Sequence, residues 1–181
     1  EMDELEKIAL QLGADVPFFL RGGCALMEGI GEMLTPLPAQ NAWTVLICPP
    51  FHANTAKVFQ TFDQTAQVRN SPLTSADLIA ILETGKIKSI SSLLLNDLMA
   101  VSSNPLFNPA QGIEVLLEHG AIGATMSGSG STVFGLFKGK KQAQDARSKI
   151  AEVMDDDFMV YAVPLIANSF ALLPAATKTN Y

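Results

Sequence analysis

The order of the elements predicted after Trp43 constrains the fold of this chain more than any other feature. Apolar patterns predict a strand, helices, two successive strands, a helix and a last strand that ends near Val163. This order is typical of a split βαβ unit, and the extra helices after the first one indicate a helical insertion. The sequence therefore predicts an α+β fold with a ferredoxin-like domain over residues 41–164.

The segment before this domain is predicted to form a smaller part of the fold. Helical spacing predicts a helix from Met2 to Leu12, and the apolar run DVPFFL, which begins at Asp15, predicts a short buried strand. Two further strands joined by a glycine-containing turn are predicted over residues 24–34. The proline-rich run TPLPAQN then predicts a boundary, so the predicted domains are residues 1–40 and 41–164, with a tail at 165–181.

Two helices of the insertion are predicted from their capping residues and apolar spacing. Thr74 or Ser75 is predicted to begin a helix that runs to Leu82, and a second helix is predicted from Ser91 to Ser102. Thr55 is the predicted N-cap of the helix that precedes them.

Composition excludes several classes of function. The net charge of −6 and the 12 scattered basic residues argue against a nucleic-acid partner, which requires clustered Lys and Arg. No apolar run is long enough for a membrane span, so no membrane partner is expected. Cys24 and Cys48 lack metal-ligand spacing and are interpreted as buried structural thiols of a reduced, cytoplasmic protein. No metal ligands are predicted.

The run MSGSGST from Met126 to Thr132 lies between two predicted strands and is the clearest candidate for a binding loop. Glycine accepts positive φ angles and allows close approach of a ligand to the backbone. Successive N–H groups of Ser127, Gly128, Ser129, Gly130 and Ser131 can hold an anion such as phosphate. The alternative is an ordinary glycine-rich hairpin. The run matches neither a Walker A loop nor a dinucleotide-binding fingerprint.

Asp15 is the clearest candidate for a general base. It follows the predicted end of the first helix and precedes a run of large apolar residues, surroundings that can tune a carboxylate for proton transfer. The alternative is an Asp that forms an Asx-type turn.

Taken together, three motifs resemble the GHMP small-molecule kinases, which include galactokinase, homoserine kinase and mevalonate kinase. They are LGADVPFFLRGGCALMEGIGEMLTPLP from Leu12, NDL at Asn96 and MSGSGSTVFGLF from Met126. Within the family, the resemblance is strongest to the members of the non-mevalonate isoprenoid pathway whose substrate carries a cytidine diphosphate. The family's other glycine-rich loop and its catalytic lysine have no match here. The chain is therefore expected to be a C-terminal portion of such a kinase and to turn over slowly or not at all alone.

The resemblance implies a role for each matching residue. The family transfers the γ-phosphoryl group of ATP, accompanied by Mg²⁺, to a hydroxyl of a small-molecule substrate. Asp15 falls on the catalytic aspartate, and the loop from Ser127 to Ser131 falls on a phosphate-binding loop. Phe59 falls where the cytosine is stacked, and Thr55 falls on a ligand contact, although a core position for Phe59 is the alternative.

Two competing functions follow from the same residues. One is a different kinase of the family, such as homoserine kinase or a mevalonate-pathway kinase. The other is a non-catalytic chain that only associates, as a homodimer or with the expected N-terminal section, through apolar surface on its first 34 residues.

Overall fold

The computed structural model describes residues 2–65, 74–91, 93–102 and 107–166. These residues form two compact units. One is Ala42–Pro164, and the other contains the residues up to Asn41 together with Leu165 and Ile166. From residue 167 onward, the predicted tail lies outside the described residues. Within the described ranges, no helix combines the length and the hydropathy needed to cross a membrane.

The described part of the first unit contains two helices and one β-hairpin. Helices α1 (Met2–Leu12) and α2 (Val16–Arg21) are followed by strands β1 (Cys24–Glu28) and β2 (Met33–Leu37), which pair antiparallel. Arg21, at the end of α2, forms an ion pair with Glu6 of α1, and this guanidinium lowers the pKa of the Glu6 carboxyl.

The strand predicted from the run DVPFFL is wrong, because these residues begin helix α2. Pro17 lies in the first turn of the helix, where the fixed φ of proline suits a helix and its missing N–H is not needed. Short apolar runs do not distinguish strands from helices by periodicity, and here the proline position decides.

Several large apolar side chains of the first unit are exposed. They include Leu5, Ile8, Leu12, Phe19 and Ile30. Apolar surface was expected on this segment, and the association that it would support stays a prediction.

Within its described residues, the second unit contains the four remaining strands and five helices, with a short 3₁₀ helix at Asp97–Ala100. In chain order its other elements are β3 (Trp43–Cys48), α3 (Thr55–Thr65), α4 (Ser75–Glu83), α5 (Ile87–Ser91), α6 (Pro109–Glu118), β4 (Gly123–Met126), β5 (Val133–Phe137), α7 (Lys140–Val153) and β6 (Met159–Pro164).

The four strands form an antiparallel sheet in the order β4-β5-β3-β6. Ile47 of the central strand β3 pairs with Val133 on one side and with Val160 on the other. Helices α6 and α7 pack against the sheet, and Leu116 and Ile150 are fully buried in the resulting core. This topology confirms the predicted α+β fold with a split βαβ unit.

The structure confirms one predicted cap and corrects two details of the insertion. Thr74 caps α4 and shares a capping box with Asp77. Thr55 is the first residue of α3 rather than its cap, because the Asn54 side chain accepts a hydrogen bond from the Lys57 N–H. The helix predicted from Ser91 to Ser102 is wrong. Instead, α5 ends at Ser91 and a 3₁₀ helix follows later.

The two cysteines also differ from their prediction. Both are free and half-buried rather than fully buried, and burial raises the pKa of the Cys24 thiol.

Candidate functional site

The glycine loop of the second unit, residues 127–132, closes a tight hairpin between β4 and β5. The N–H of Ser127 donates to the carbonyl of Thr132 at 2.9 Å, and the N–H of Gly130 donates to the carbonyl of Ser127 at 2.9 Å. Gly128 and Gly130 adopt φ angles of +54° and +89°, which favour glycine. Both glycines are needed to form the hairpin turn. A hairpin of this kind can also bind an anion, so the two interpretations do not exclude each other.

Side chains from the helical insertion hold the carbonyl groups of the glycine loop. The Asn96 amide nitrogen donates to the carbonyl of Met126 at 2.8 Å and to that of Gly128 at 2.7 Å. The Ser102 hydroxyl donates to the carbonyl of Ser129 at 2.9 Å. Carbonyl oxygens that would repel an anion are thus already satisfied within the protein.

Three backbone N–H groups of the loop, by contrast, have no hydrogen-bond partner among the described residues. They belong to Gly128, Ser129 and Ser131. Gly128 is exposed, and an added Cβ at this position would meet no atom within 4 Å. Ser129 is half-buried and Ser131 is buried, so Gly128 is the most open of the three positions. Successive N–H groups without an internal partner are a feature of anion-binding loops.

The loop hydroxyls differ from one another in their surroundings. Ser127 is exposed, whereas Ser131 is buried and its hydroxyl donates to the Phe51 carbonyl at 3.3 Å. The Ser129 hydroxyl lies 2.9 Å from that of Thr55. The structure therefore brings the predicted residue Thr55 directly to the loop.

Phe59 lies one helical turn after Thr55 on α3, so the two side chains share a face of the helix. Its side chain is 49% exposed, which contradicts the alternative of a core residue. An exposed phenylalanine ring offers a face on which a planar base can stack.

A cleft of about 360 Å³ adjoins the loop. Sequence analysis did not predict it. Its lining includes apolar, hydroxyl and basic side chains: His52, Lys57, Val58, Ser102, Phe107 and Ser131. Lys57 gives this cleft a cation, which favours an anionic ligand.

Asp15 belongs to the first unit, where it precedes the first residue of α2. Its side chain is exposed and makes no capping hydrogen bond, although its carbonyl accepts one from the Phe18 N–H. The Asp15 carboxylate therefore does not form the Asx-type turn that was the alternative interpretation. Its role as a base stays a prediction.

Comparison with known proteins places the loop in a family. Residues 91–156 match the family of GHMP kinases C terminal, and this range contains Asn96, Ser102 and the whole glycine loop. Over this range the chain is similar to the C-terminal domain of GHMP kinases. The kinase named 4-diphosphocytidyl-2-C-methyl-D-erythritol kinase from Alkaliphilus oremlandii is 38% identical over 159 residues, which are 87% of this chain and 54% of that protein.

Further relatives agree with this assignment. A protein of the same name from Pelobacter propionicus is 41% identical, over 82% of this chain and 51% of its own length. The chain thus spans about half the length of the curated relatives it matches. The crystal structure of 4-(cytidine 5′-diphospho)-2C-methyl-D-erythritol kinase superposes with a TM-score of 0.68 at 28% identity, covering 88% of this chain and 56% of the other.

A homoserine kinase from Cytophaga hutchinsonii shares the fold. It superposes with a TM-score of 0.69 at 20% identity, and the match covers 93% of this chain and 59% of that kinase. Fold similarity alone therefore does not separate substrates within the family.

Proposed function

We propose that the protein transfers the γ-phosphoryl group of ATP to the 2-hydroxyl of 4-diphosphocytidyl-2-C-methyl-D-erythritol, an intermediate of non-mevalonate isoprenoid biosynthesis. The observation that carries this proposal is the set of loop N–H groups without a partner in the described part of the chain, next to Thr55 of the helix that also exposes Phe59. Relatives at 38% and 41% identity that are named for this reaction support the choice of substrate. The free cysteines suit a reducing cytoplasm.

We assign each candidate residue a part in the proposed reaction. The N–H groups of Gly128, Ser129 and Ser131 hold a phosphate, which fits ATP or the diphosphate of the substrate. Phe59 stacks on the cytosine, and Thr55 contacts the ligand. The carboxylate of Asp15 orients the substrate hydroxyl and accepts its proton. The orienting role matters because phosphoryl transfer depends mainly on positioning and charge stabilisation.

Mg²⁺ is proposed to accompany ATP. Among the described residues, no three or more His, Cys, Asp or Glu side chains come together as a metal site. Protein-bound Mg²⁺ commonly uses only one or two carboxylates together with substrate phosphates, so ATP itself would supply ligands. When bound, the cation neutralises phosphate charge. No residue of this chain is assigned to it.

The direct test is ADP release from Mg·ATP by the longest form of the protein that can be expressed. Release that requires the cytidine-containing substrate would support the proposal. Release with homoserine or mevalonate instead would assign another reaction of the family. The absence of release with all three substrates would contradict a kinase of this kind, provided that a kinase from one of the relatives is active in the same assay.

Phe59→Ala is expected to weaken binding of the cytidine-containing substrate by about 5- to 150-fold, because base stacking on an aromatic ring contributes about 1–3 kcal/mol. The melting temperature should change little, since the ring is 49% exposed. Isothermal titration measures the affinity. Leu117→Ala is the matched control, because Leu117 is 47% exposed on another helix. Equal affinities for the two variants would remove the stacking role.

Gly130→Val is expected to reduce phosphate binding by at least about tenfold and to lower stability by about 1–3 kcal/mol. A Cβ at Gly130, where φ is +89°, would lie 2.7 Å from the Met126 sulfur and 3.0 Å from the Ser102 hydroxyl. Titration with pyrophosphate and thermal melting measure the two effects.

Gly139→Ala serves as the control for Gly130→Val. Its added Cβ meets nothing within 4 Å, and its φ of −165° is open to any residue. Normal pyrophosphate affinity in Gly130→Val would contradict the phosphate-binding role of the loop.

A further inference from the structure

The side chain of Asn96 makes two different kinds of contact. Its oxygen accepts a hydrogen bond from the Leu98 N–H at 2.9 Å and so caps the 3₁₀ helix. Its amide nitrogen donates to the carbonyls of Met126 and Gly128, which are 30 and 32 residues away in sequence. All three partners agree on which end of the amide is nitrogen, so the side chain has one orientation.

The contact with Gly128 fixes the direction of one peptide group in the loop. In a planar trans peptide, the C=O of one residue and the N–H of the next point in opposite directions. When Asn96 holds the Gly128 carbonyl toward the insertion, the Ser129 N–H must point away from it. Ser129 is one of the residues whose N–H has no partner among the described residues.

This peptide group needs an external restraint. Gly128 lacks a Cβ, so rotation of the peptide plane between Gly128 and Ser129 is sterically easy. Such a rotation would turn the carbonyl oxygen toward the ligand and the N–H away from it. The neighbouring peptide needs less support, because the Gly130 N–H is already bound to the Ser127 carbonyl. The peptide between Ser129 and Gly130 therefore has two restraints: the bond within the turn at its N–H, and the bond from the Ser102 hydroxyl at its carbonyl.

We propose that Asn96 is a positioning residue for phosphate binding: its amide nitrogen holds the Gly128 carbonyl so that the Ser129 N–H faces the phosphate. This inference rests on the proposed function, because it takes the ligand of the loop to be a phosphate group. It adds a residue that sequence analysis recognised only as part of a resembling motif, with no role. Asn96 touches neither substrate nor cofactor in this account, and it acts through the loop backbone.

A second asparagine serves as a control for the capping contact that the Asn96 oxygen makes. Asn108 caps α6 by accepting a hydrogen bond from the Ala110 N–H at 3.0 Å, and the structure gives its side chain no loop contact within the described ranges. Asn96→Asp keeps the oxygen that caps the 3₁₀ helix but replaces the amide nitrogen that donates to the loop with a second oxygen. Asn108→Asp adds the same negative charge at a cap that makes no contact with the loop in the described ranges. Asn96→Ala and Asn108→Ala form the corresponding uncharged pair.

The experiment is a titration of the whole chain with inorganic pyrophosphate, followed through the amide chemical shifts of Gly128 and Ser129. In the wild type we expect both resonances to move on binding. Both Asn96 variants should bind at least about tenfold more weakly and lose the Ser129 shift. Both Asn108 variants should bind within about twofold of wild type, and Asn108→Ala should lose only the stability that a helix cap contributes. Asn96 variants that bind as well as their Asn108 counterparts would overturn the proposal.

A failure of the proposed function can be distinguished from a failure of this inference. If the wild type does not bind pyrophosphate, the phosphate-binding loop is wrong, and the positioning role is then judged on the unliganded protein. There, Asn96→Ala should shift the Ser129 amide resonance relative to its position in Asn108→Ala. An unchanged Ser129 amide would overturn the restraint itself.

Discussion

Asp15→Asn, introduced into the longest form of the protein that can be expressed, is expected to lower turnover by about 10²- to 10⁴-fold, the usual contribution of general acid–base catalysis. The amide keeps the size of the side chain and its ability to accept a hydrogen bond, but it cannot take the proton from the substrate hydroxyl. Affinity for ATP and for the cytidine-containing substrate should therefore change by less than about threefold. Steady-state ADP release and isothermal titration measure the two quantities on the same preparation.

The control for this variant is Asp145→Asn. Asp145 is an exposed carboxylate on α7 that pairs with Lys141, and exposed pairs of this spacing contribute little. Its turnover should match that of the wild type. If Asp15→Asn also turned over at the wild-type rate, the base would have to be another residue, and the resemblance that points to Asp15 would be misleading at this position.

Phe137→Ala is expected to lower the free energy of unfolding by about 3–5 kcal/mol, the usual range for a buried phenylalanine. Phe137 is 1% exposed at the end of β5 and belongs to the core between the sheet, α6 and α7. The truncation removes apolar area and leaves a cavity that close packing cannot easily fill. Urea unfolding monitored by circular dichroism gives the value.

Phe59→Ala is the comparison for stability, since it makes the same chemical change at a half-exposed position. Its loss should stay within about 0.5 kcal/mol. The two phenylalanine variants should thus separate cleanly, one losing stability and the other losing ligand affinity. A loss below about 1 kcal/mol for Phe137→Ala would contradict its place in the core.

The strands and long helices of the second unit were predictable because their signals are local. Val133 and Phe137 repeat at strand spacing, and Pro109 and Gly120 flank a helix. The failures also have local causes. Pro17 suits the first turn of a helix as well as it suits the start of a strand, and Asn96 uses its side chain to cap a separate short helix within the predicted one.

The candidate site was predictable from residue type only at its glycines, whereas Thr55 and Phe59 were predicted from the family resemblance. Gly128 and Gly130 indicate a loop of unusual backbone conformation by their residue type alone. Asn96 and Ser102 give no comparable signal, because their contacts with the loop join residues 27 to 32 positions apart and depend on the tertiary fold. No single-sequence pattern encodes such a contact.

Only part of the helical insertion hydrogen-bonds to the glycine loop in the described ranges, and this has a practical consequence for engineering. Among the described residues, Asn96 and Ser102 are its side chains that hydrogen-bond to the loop, while α4 and α5 make no such bond. A designer could therefore replace α4, in length or in sequence, and expect the loop to keep its conformation if these two anchor points and the close packing of Ser91 against Gly123 were preserved.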